Sequence, residues 1–261
     1  MKSEAAMCRA FIDVAVDKKV WDVYPETAGW DILLVHKKTG IQIGIEAKQS
    51  LNAKVLEQAI SGIDHFARYG GPDYRAVLVP EGGMAGLDKI CKAIGVTVIR
   101  FRGKPVDNQN KCVIEATKKR GKYYAEAFTP RLVNPEKNLF SEIGTTWFDW
   151  CPDQRCALPD YIPDVKAGVK SPVKLTDWKI KAIKIDIMLS RQGYITSSDF
   201  KEIGISMSRW IQSKWIKKKK GHRGMWVAGQ NKPDFRSQHP LNYKQIGLDK
   251  SWQTRMQAGL F

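Results

Sequence analysis

Two carboxylates and a lysine in one short stretch are the residues of this chain best suited to chemistry. In GWDILLVHKKTGIQIGIEAKQS, Asp31 opens one apolar run and Glu46-Ala47-Lys48 closes the next. Period-two alternation predicts strands over Trp30 to His36 and Ile41 to Lys48, with a turn around Lys38, Thr39 and Gly40. A hairpin centred between Lys38 and Thr39 sets Asp31 opposite Glu46, and Lys48 then shares their face. Ile32, Leu34, Ile41, Ile43, Ile45 and Ala47 form the other face, suited to packing under helices. Like charges opposed across a ladder repel unless a cation sits between them. A hard divalent ion with oxygen ligands, Mg²⁺ or Mn²⁺, meets that need. Lys48 can orient or deprotonate a water, or stabilise charge building on a phosphate. The geometry asks for metal-dependent phosphodiester hydrolysis. The competing reading is a half-polar hairpin whose charges merely face solvent.

The flanking sequence supplies elements to position such a hairpin. Met7, Phe11 and Val14 recur at helical spacing in a segment running from Ser3 to Val16, and Val20 to Tyr24 suits a short strand. Leu51 to Tyr69 reads as a helix with Val55, Leu56 and Ala59 on its apolar stripe. Arg75 to Pro80, Met84 to Ile94 and Val96 to Phe101 read as strand, helix and strand, a unit that favours a parallel pair. The expected fold is α/β, a mixed β-sheet flanked by helices. Between Gly103 and Trp150 the pattern weakens, to a strand at Cys112 to Ala116 and a helix at Tyr123 to Phe128.

Asp31 and Glu46-Ala47-Lys48, on the second and third strands after an N-terminal helix, resemble the PD-(D/E)XK nuclease superfamily. The layout is similar to archaeal Holliday-junction resolvases and related small endonucleases, over roughly Ser3 to Phe101. The resemblance implies a restriction-endonuclease-like fold, Mg²⁺ held by Asp31, Glu46 and the carbonyl of Ala47, a Lys48 that assists the attacking water, and DNA as substrate. It also implies Glu4 as the helix carboxylate and Gln49-Ser50 as the motif's tail. Glu26, just before Asp31, competes with Glu4 as third carboxylate, and Glu4 is equally suited to the first turn of a helix, where the dipole favours acids. Gln58 on the following helix would touch a phosphate, or else face solvent. The Pro that usually precedes the Asp is replaced by Gly29-Trp30. Relatives of this fold generally pair, so a homodimer is expected.

Charge points the same way. The 261 residues hold 43 Lys and Arg against 27 Asp and Glu, a net charge of +16, which favours a polyanionic partner. The excess is uneven: from Lys174 onward there are 18 basic against 6 acidic residues. That stretch reads as helix (Thr176 to Arg191), short helix after Thr196, a tight turn at Gly204, and a third helix from Met207 to Lys217. A β wing around Gly221 to Val227 follows. This is a winged helix-turn-helix pattern. Arg209, Lys214 and Lys217 would face the groove or phosphates, and Lys218, Lys219, Lys220 and Arg223 would line the wing. Trp210, Ile211 and Trp215 would form the third helix's buried stripe.

These readings divide the chain into a nuclease-like domain over 1–130, an irregular and Pro-rich linker over 131–173, the winged module over 174–229 and a basic tail over 230–261. Four prolines (Pro152, Pro159, Pro163 and Pro172) keep the linker extended. No apolar run is long enough to span a bilayer and no signal peptide is evident, so a cytoplasmic, DNA-associated protein with reduced cysteines is expected. Cys151 and Cys156 lack partners at zinc-ligand spacing. Glu81-Gly82-Gly83 lacks the nucleotide-binding fingerprints, so no nucleotide cofactor is expected. The leading expectation is a site-specific or restriction-type metal-dependent DNA endonuclease. The alternatives are a branched-DNA resolvase and a non-catalytic DNA-binding regulator on a nuclease-like scaffold.

Overall fold

A computed structural model describes residues 3–14, 16–61, 70–82, 85–101, 104–106, 111–113, 117–119, 122–124, 128–136, 146–168 and 174–253. The chain divides into two compact units, Met1–Leu158 with Lys166–Pro172, and Pro159–Val165 with Val173–Phe261. Among the described residues no helix is long and apolar enough to cross a membrane.

The first unit is mixed α/β. In chain order it runs α1 (Glu4–Val14), β1 (Trp21–Thr27), β2 (Trp30–His36), β3 (Gln42–Ala47), α2 (Ala53–Ala59), β4 (Tyr74–Pro80), α3 (Ala85–Ala93) and β5 (Val96–Phe101). Two small hairpins follow, β6 (Lys104–Val106) with β7 (Lys111–Val113) and β8 (Thr117–Lys119) with β9 (Lys122–Tyr124), and then β10 (Phe128–Thr129). The main sheet has the order β1-β2-β3-β4-β5-β10. β1, β2 and β3 are antiparallel neighbours, β3, β4 and β5 run parallel, and β10 closes the far side antiparallel to β5. The expected β-α-β unit is present.

Both faces of this sheet are covered. Met7 and Phe11 of α1 pack with Ile32, Leu34, Ile43 and Ile45 on one side. Val55, Leu56 and Cys91 pack with Leu33, Val35 and Val77 on the other. All six residues of β3 are buried, as strands in a doubly covered sheet must be. The half-polar hairpin is therefore not what forms, because α2 packs on β3, and Trp30 and Pro72 lie over Gly44, on the face that alternation alone would leave wet. Near Lys122 the expected helix is replaced by strand β9. Phe128, its expected end, lies in strand β10, while residues 125–127 between them, the end of the expected 112–116 strand and residues 62–69 of the expected 51–69 helix lie outside the described residues.

The expected linker is not free chain. Arg155 grips Asp73 through Nε and Nη2, and the side-chain amide of Gln42 exchanges hydrogen bonds with the backbone of Cys156, which binds this stretch into the first unit. Residues 159–165 join the second unit instead. Asp164 accepts hydrogen bonds from His239 Nδ1 and from the amides of Leu241 and Asn242.

The second unit contains α4 (Asp177–Gln192), β11 (Ile195–Thr196), α5 (Ser197–Ile203), α6 (Met207–Gln212), β12 (Ile216–Lys218), β13 (Met225–Ala228), α7 (Phe235–Gln238) and α8 (Pro240–Leu248). Thr176 caps α4 and Gly193 ends it in the left-handed region at φ 74°. Thr196 and Asp199 form a capping box on α5. A three-stranded antiparallel sheet has the order β11-β13-β12. α4 is the central element: Ile180, Ala182, Ile183, Ile185, Ile187, Met188 and Leu189 are all buried, well beyond a single stripe. Phe235, Ile246 and Trp252 complete that core, so residues up to 253 are a packed part of this unit rather than a tail. Residues 254–261 lie outside the described residues.

The third helix is shorter than its sequence suggests. It ends at Gln212, and Lys214 turns the chain with φ 57°. Trp215 then packs on Trp210 at 5.4 Å between ring centroids, and Ile216 is buried on β12. A continued helix could not keep both tryptophans and Ile216 in the core. Ile211 is exposed, against the expected stripe.

Candidate active site

The hairpin register is the one the sequence predicts. Ile32 faces Ile45 and Leu34 faces Ile43, and carrying this register outward sets Asp31 opposite Glu46. Tight turn contacts hold it, with His36 N–H donating to Ile41 O and Gly40 N–H to His36 O, each at 2.8 Å. Asp31 Oδ2 accepts the Ala47 N–H at 2.8 Å, so this carboxylate stitches the start of β2 to the end of β3. Glu46 is 4% exposed and pairs with Val77 in the parallel ladder. Lys48 follows β3, its N–H donating to Leu78 O.

Lys48 is the meeting point. Its Nζ lies 3.3 Å from Glu4 Oε2, which projects from the first turn of α1. Burial pulls the lysine's pKa down, but Asp31, Glu4 and Glu46 together outweigh burial and hold the ammonium above its ordinary value. Three carboxylates thus act on one cation. Among the described residues no group of three or more His, Cys, Asp or Glu side chains is gathered closely enough to hold a metal ion. The donor set on offer is the two carboxylates of Asp31 and Glu46 with the carbonyl of Ala47. These are hard oxygens, in an environment of excess negative charge, and they fit Mg²⁺ or Mn²⁺ by type.

Both competitors for the third carboxylate come to this end of the sheet by different routes. Glu4 comes through the Lys48 pair. Glu26 sits on β1, between the pairs Pro25↔Ile32 and Thr27↔Trp30, so the register sets it opposite Asp31 from the other side. Its φ of 51° is unusual for a residue with a β-carbon. Its Oε1 accepts the Gly168 N–H at 2.8 Å. Gln49 is exposed just past Lys48. Gln58 on α2 is half-buried rather than solvent-facing, and its Oε1 is buried with no hydrogen-bond partner.

Two residues here escape sequence reasoning. Cys8, fully buried on α1, has its thiol pushed up strongly by burial, with the charges of Asp31, Glu26 and Glu4 adding to the shift. Its spacing of four from Glu4 was the available signal. Gly168 packs so closely on α1 that a β-carbon there would lie 2.8 Å from Cys8 Sγ and 3.1 Å from the Ala5 nitrogen. It stands 142 positions from Glu26, and no local pattern announces it.

The second unit presents cations outward. Arg209 on α6 is exposed, with its guanidinium 4.7 Å from the centroid of the Trp178 ring. Lys214 lies in the turn after α6, and Lys217 and Lys218 lie on β12, all exposed. The expected placement of Lys214 and Lys217 on the third helix is thus corrected by its early end. Lys220 and Arg223 are exposed in the β12–β13 turn, and Lys219 rests half-buried 5.3 Å from the centroid of Tyr194. Among the described residues none of these seven forms an ion pair. Comparison with protein-family models, with curated proteins and with solved structures gives no match.

Proposed function

We propose that this chain is a divalent-metal-dependent DNA endonuclease of the PD-(D/E)XK type, directed by a winged-helix module in its second unit. The observation that carries this reading is the convergence of Asp31, Glu46 and Glu4 on the Lys48 ammonium at the end of a doubly covered sheet. Asp31, Glu46 and the Ala47 carbonyl would hold Mg²⁺ or Mn²⁺, which when bound polarises a phosphate oxygen and acidifies a water. Asp31 is oriented for this by the Ala47 amide. Lys48, kept charged by its neighbours, donates hydrogen bonds to the attacking water or to the phosphoryl oxygens. It is not the proton acceptor. Glu4 positions Lys48 from the far side. Water attacks phosphorus in line with the leaving oxygen, the P–O bond to that oxygen breaks, the attacking water gives up its proton to solvent, and the leaving oxygen takes one from solvent.

The second unit's order of helix, strand, helix, helix and hairpin supports a winged-helix reading, with Arg209 on the recognition helix and Lys217, Lys218, Lys219, Lys220 and Arg223 along the wing. Exposed cations without ion pairs suit phosphate contacts. A duplex cut on both strands needs two sites, so the working form proposed is a homodimer.

The test is incubation of the full chain with supercoiled, linear and branched DNA, in Mg²⁺, in Mn²⁺ and in EDTA. Metal-dependent cleavage that disappears in Glu46→Gln and Asp31→Asn, with DNA binding retained, is the expected result. Cleavage by Glu46→Gln at the wild-type rate, or no cleavage of any substrate in either metal, would overturn the reading.

A further inference from the structure

We propose that a cavity of about 420 Å³ beside the β1–β2 turn binds a phosphate-class oxyanion through Arg75 and Arg155. Gly29, Trp30, Gly71 and Cys156 also line it, and all of these residues belong to the first unit. None is among the carboxylates or the lysine of the proposed active site, so the inference stands apart from the nuclease reading.

Arg75 projects from β4 and is 3% exposed. Its Nη1 donates to the carbonyls of Ala59 and Ser61 at 3.0 Å, and Nη2 to Gly70 at 3.4 Å. Its Nε–H is buried with no acceptor. Among the described residues no carboxylate pairs with it. Two indole rings flank the guanidinium, Trp30 at 5.7 Å and Trp150 at 5.1 Å to their centroids. Burial pulls its pKa below the ordinary value. Carbonyl dipoles and aromatic faces offset part of the cost of burying a cation, but they supply no counter-charge.

A second guanidinium shares the cavity. Arg155 is held by Asp73 through Nε and Nη2 at 2.8–3.1 Å, which fixes its plane. Its Nη1 has only a long contact to Thr39 O at 3.4 Å. The chain is also shaped around Arg75: a β-carbon on Gly71 would lie 2.6 Å from Nη2, at a φ of 147° that side chains rarely adopt. A purely structural tie at the end of α2 explains the carbonyl contacts of Arg75. It does not explain an open cavity with two guanidinium groups and one carboxylate.

The experiment uses the full chain in EDTA. Inorganic phosphate is titrated against chloride at equal ionic strength, read by tryptophan fluorescence and by alkylation of Cys156 followed by mass spectrometry. Exposed Cys151 is the internal control. Saturable binding with protection of Cys156 alone is expected, about tenfold weaker in Arg155→Gln. Arg75→Met should lose it altogether; if that variant fails to fold, Arg155→Gln decides. A thymidine dinucleotide with one phosphodiester is the second arm. Competition with phosphate for Cys156 protection identifies a nucleic-acid backbone as the source of the anion, and protection by phosphate alone identifies a free phosphate. Unsaturable responses, unchanged Cys156 alkylation, or equal affinity in Arg155→Gln would overturn the proposal. Glu46→Gln should bind phosphate like wild type, so a failed cleavage assay and a failed pocket are told apart.

Discussion

The two units handle charge in opposite ways. In the first, Glu4, Asp31, Glu46 and Lys48 are drawn to one end of a sheet and partly or wholly withdrawn from water, and the three carboxylates hold the Lys48 ammonium above its ordinary value. In the second, Arg209, Lys214, Lys217, Lys218, Lys220 and Arg223 all stand in solvent. Screening by water and salt leaves such cations nearly independent of one another. Withdrawn charges suit bond chemistry, where position decides the rate. Exposed ones suit the capture of a long polyanion, where their number decides affinity.

The sharpest way to break this contrast is to remove Lys48. Lys48→Ala should slow cleavage by roughly 10²–10⁴-fold, as loss of a positioned catalytic group does, with DNA affinity unchanged. Rapid-quench cleavage beside a filter-binding titration would measure both. A parallel fall in affinity would mean that Lys48 serves binding, and the proposed division of work between the two units would fail.

Next comes the core beneath the exposed cations. Trp210 is fully buried and meets Phe200 at 5.4 Å and Phe235 at 6.1 Å between ring centroids. Trp210→Ala should cost about 3–5 kcal/mol in denaturant unfolding, as large aromatic truncations do. A loss under about 1 kcal/mol would contradict the packing of this unit. Smaller still is the effect of replacing Lys217, Lys218, Lys220 and Arg223 together by Ala. Affinity should fall alike for all sequences, and the salt slope should drop by roughly one for each phosphate no longer neutralised. An unchanged slope would remove the β12–β13 turn from the proposed DNA interface.

The smallest effect belongs to Glu4→Gln. The Lys48–Glu4 pair is partly exposed, so its loss should cost only about 0.2–1 kcal/mol. The sign follows from Lys48 being raised in the folded state. Its contribution is complete below the unfolded lysine value of about 10.4 and fades as pH climbs through the higher folded value. Stability curves of wild type and Glu4→Gln should therefore converge in strong alkali. Curves that stay parallel would mean the glutamate acts through packing.

Much of this molecule was written in local pattern. Alternation from Trp30 to His36 and from Gln42 to Ala47, joined by a turn ending in Gly40, admits one register, because a slip by one residue turns every side chain to the other face. That sets Asp31 opposite Glu46 without the help of any contact from outside the hairpin. Thr176, Thr196 and Gly204 likewise mark where helices begin and end, through hydrogen bonds made within a few residues. What tertiary structure alone decided is what local hydrogen bonding cannot see. The second face of β3 is buried because α2 packs on it and Trp30 and Pro72 close over Gly44. α6 stops at Gln212 so that Trp210, Trp215 and Ile216 share one core. Residues 235–248 are helices on α4 because its apolar girdle needs covering. Gly168 reaches Glu26, 142 positions away, and the still more distant Cys8 only once the chain has folded back. Burial and long-range contact are properties of the whole chain's packing, and no window of sequence contains them.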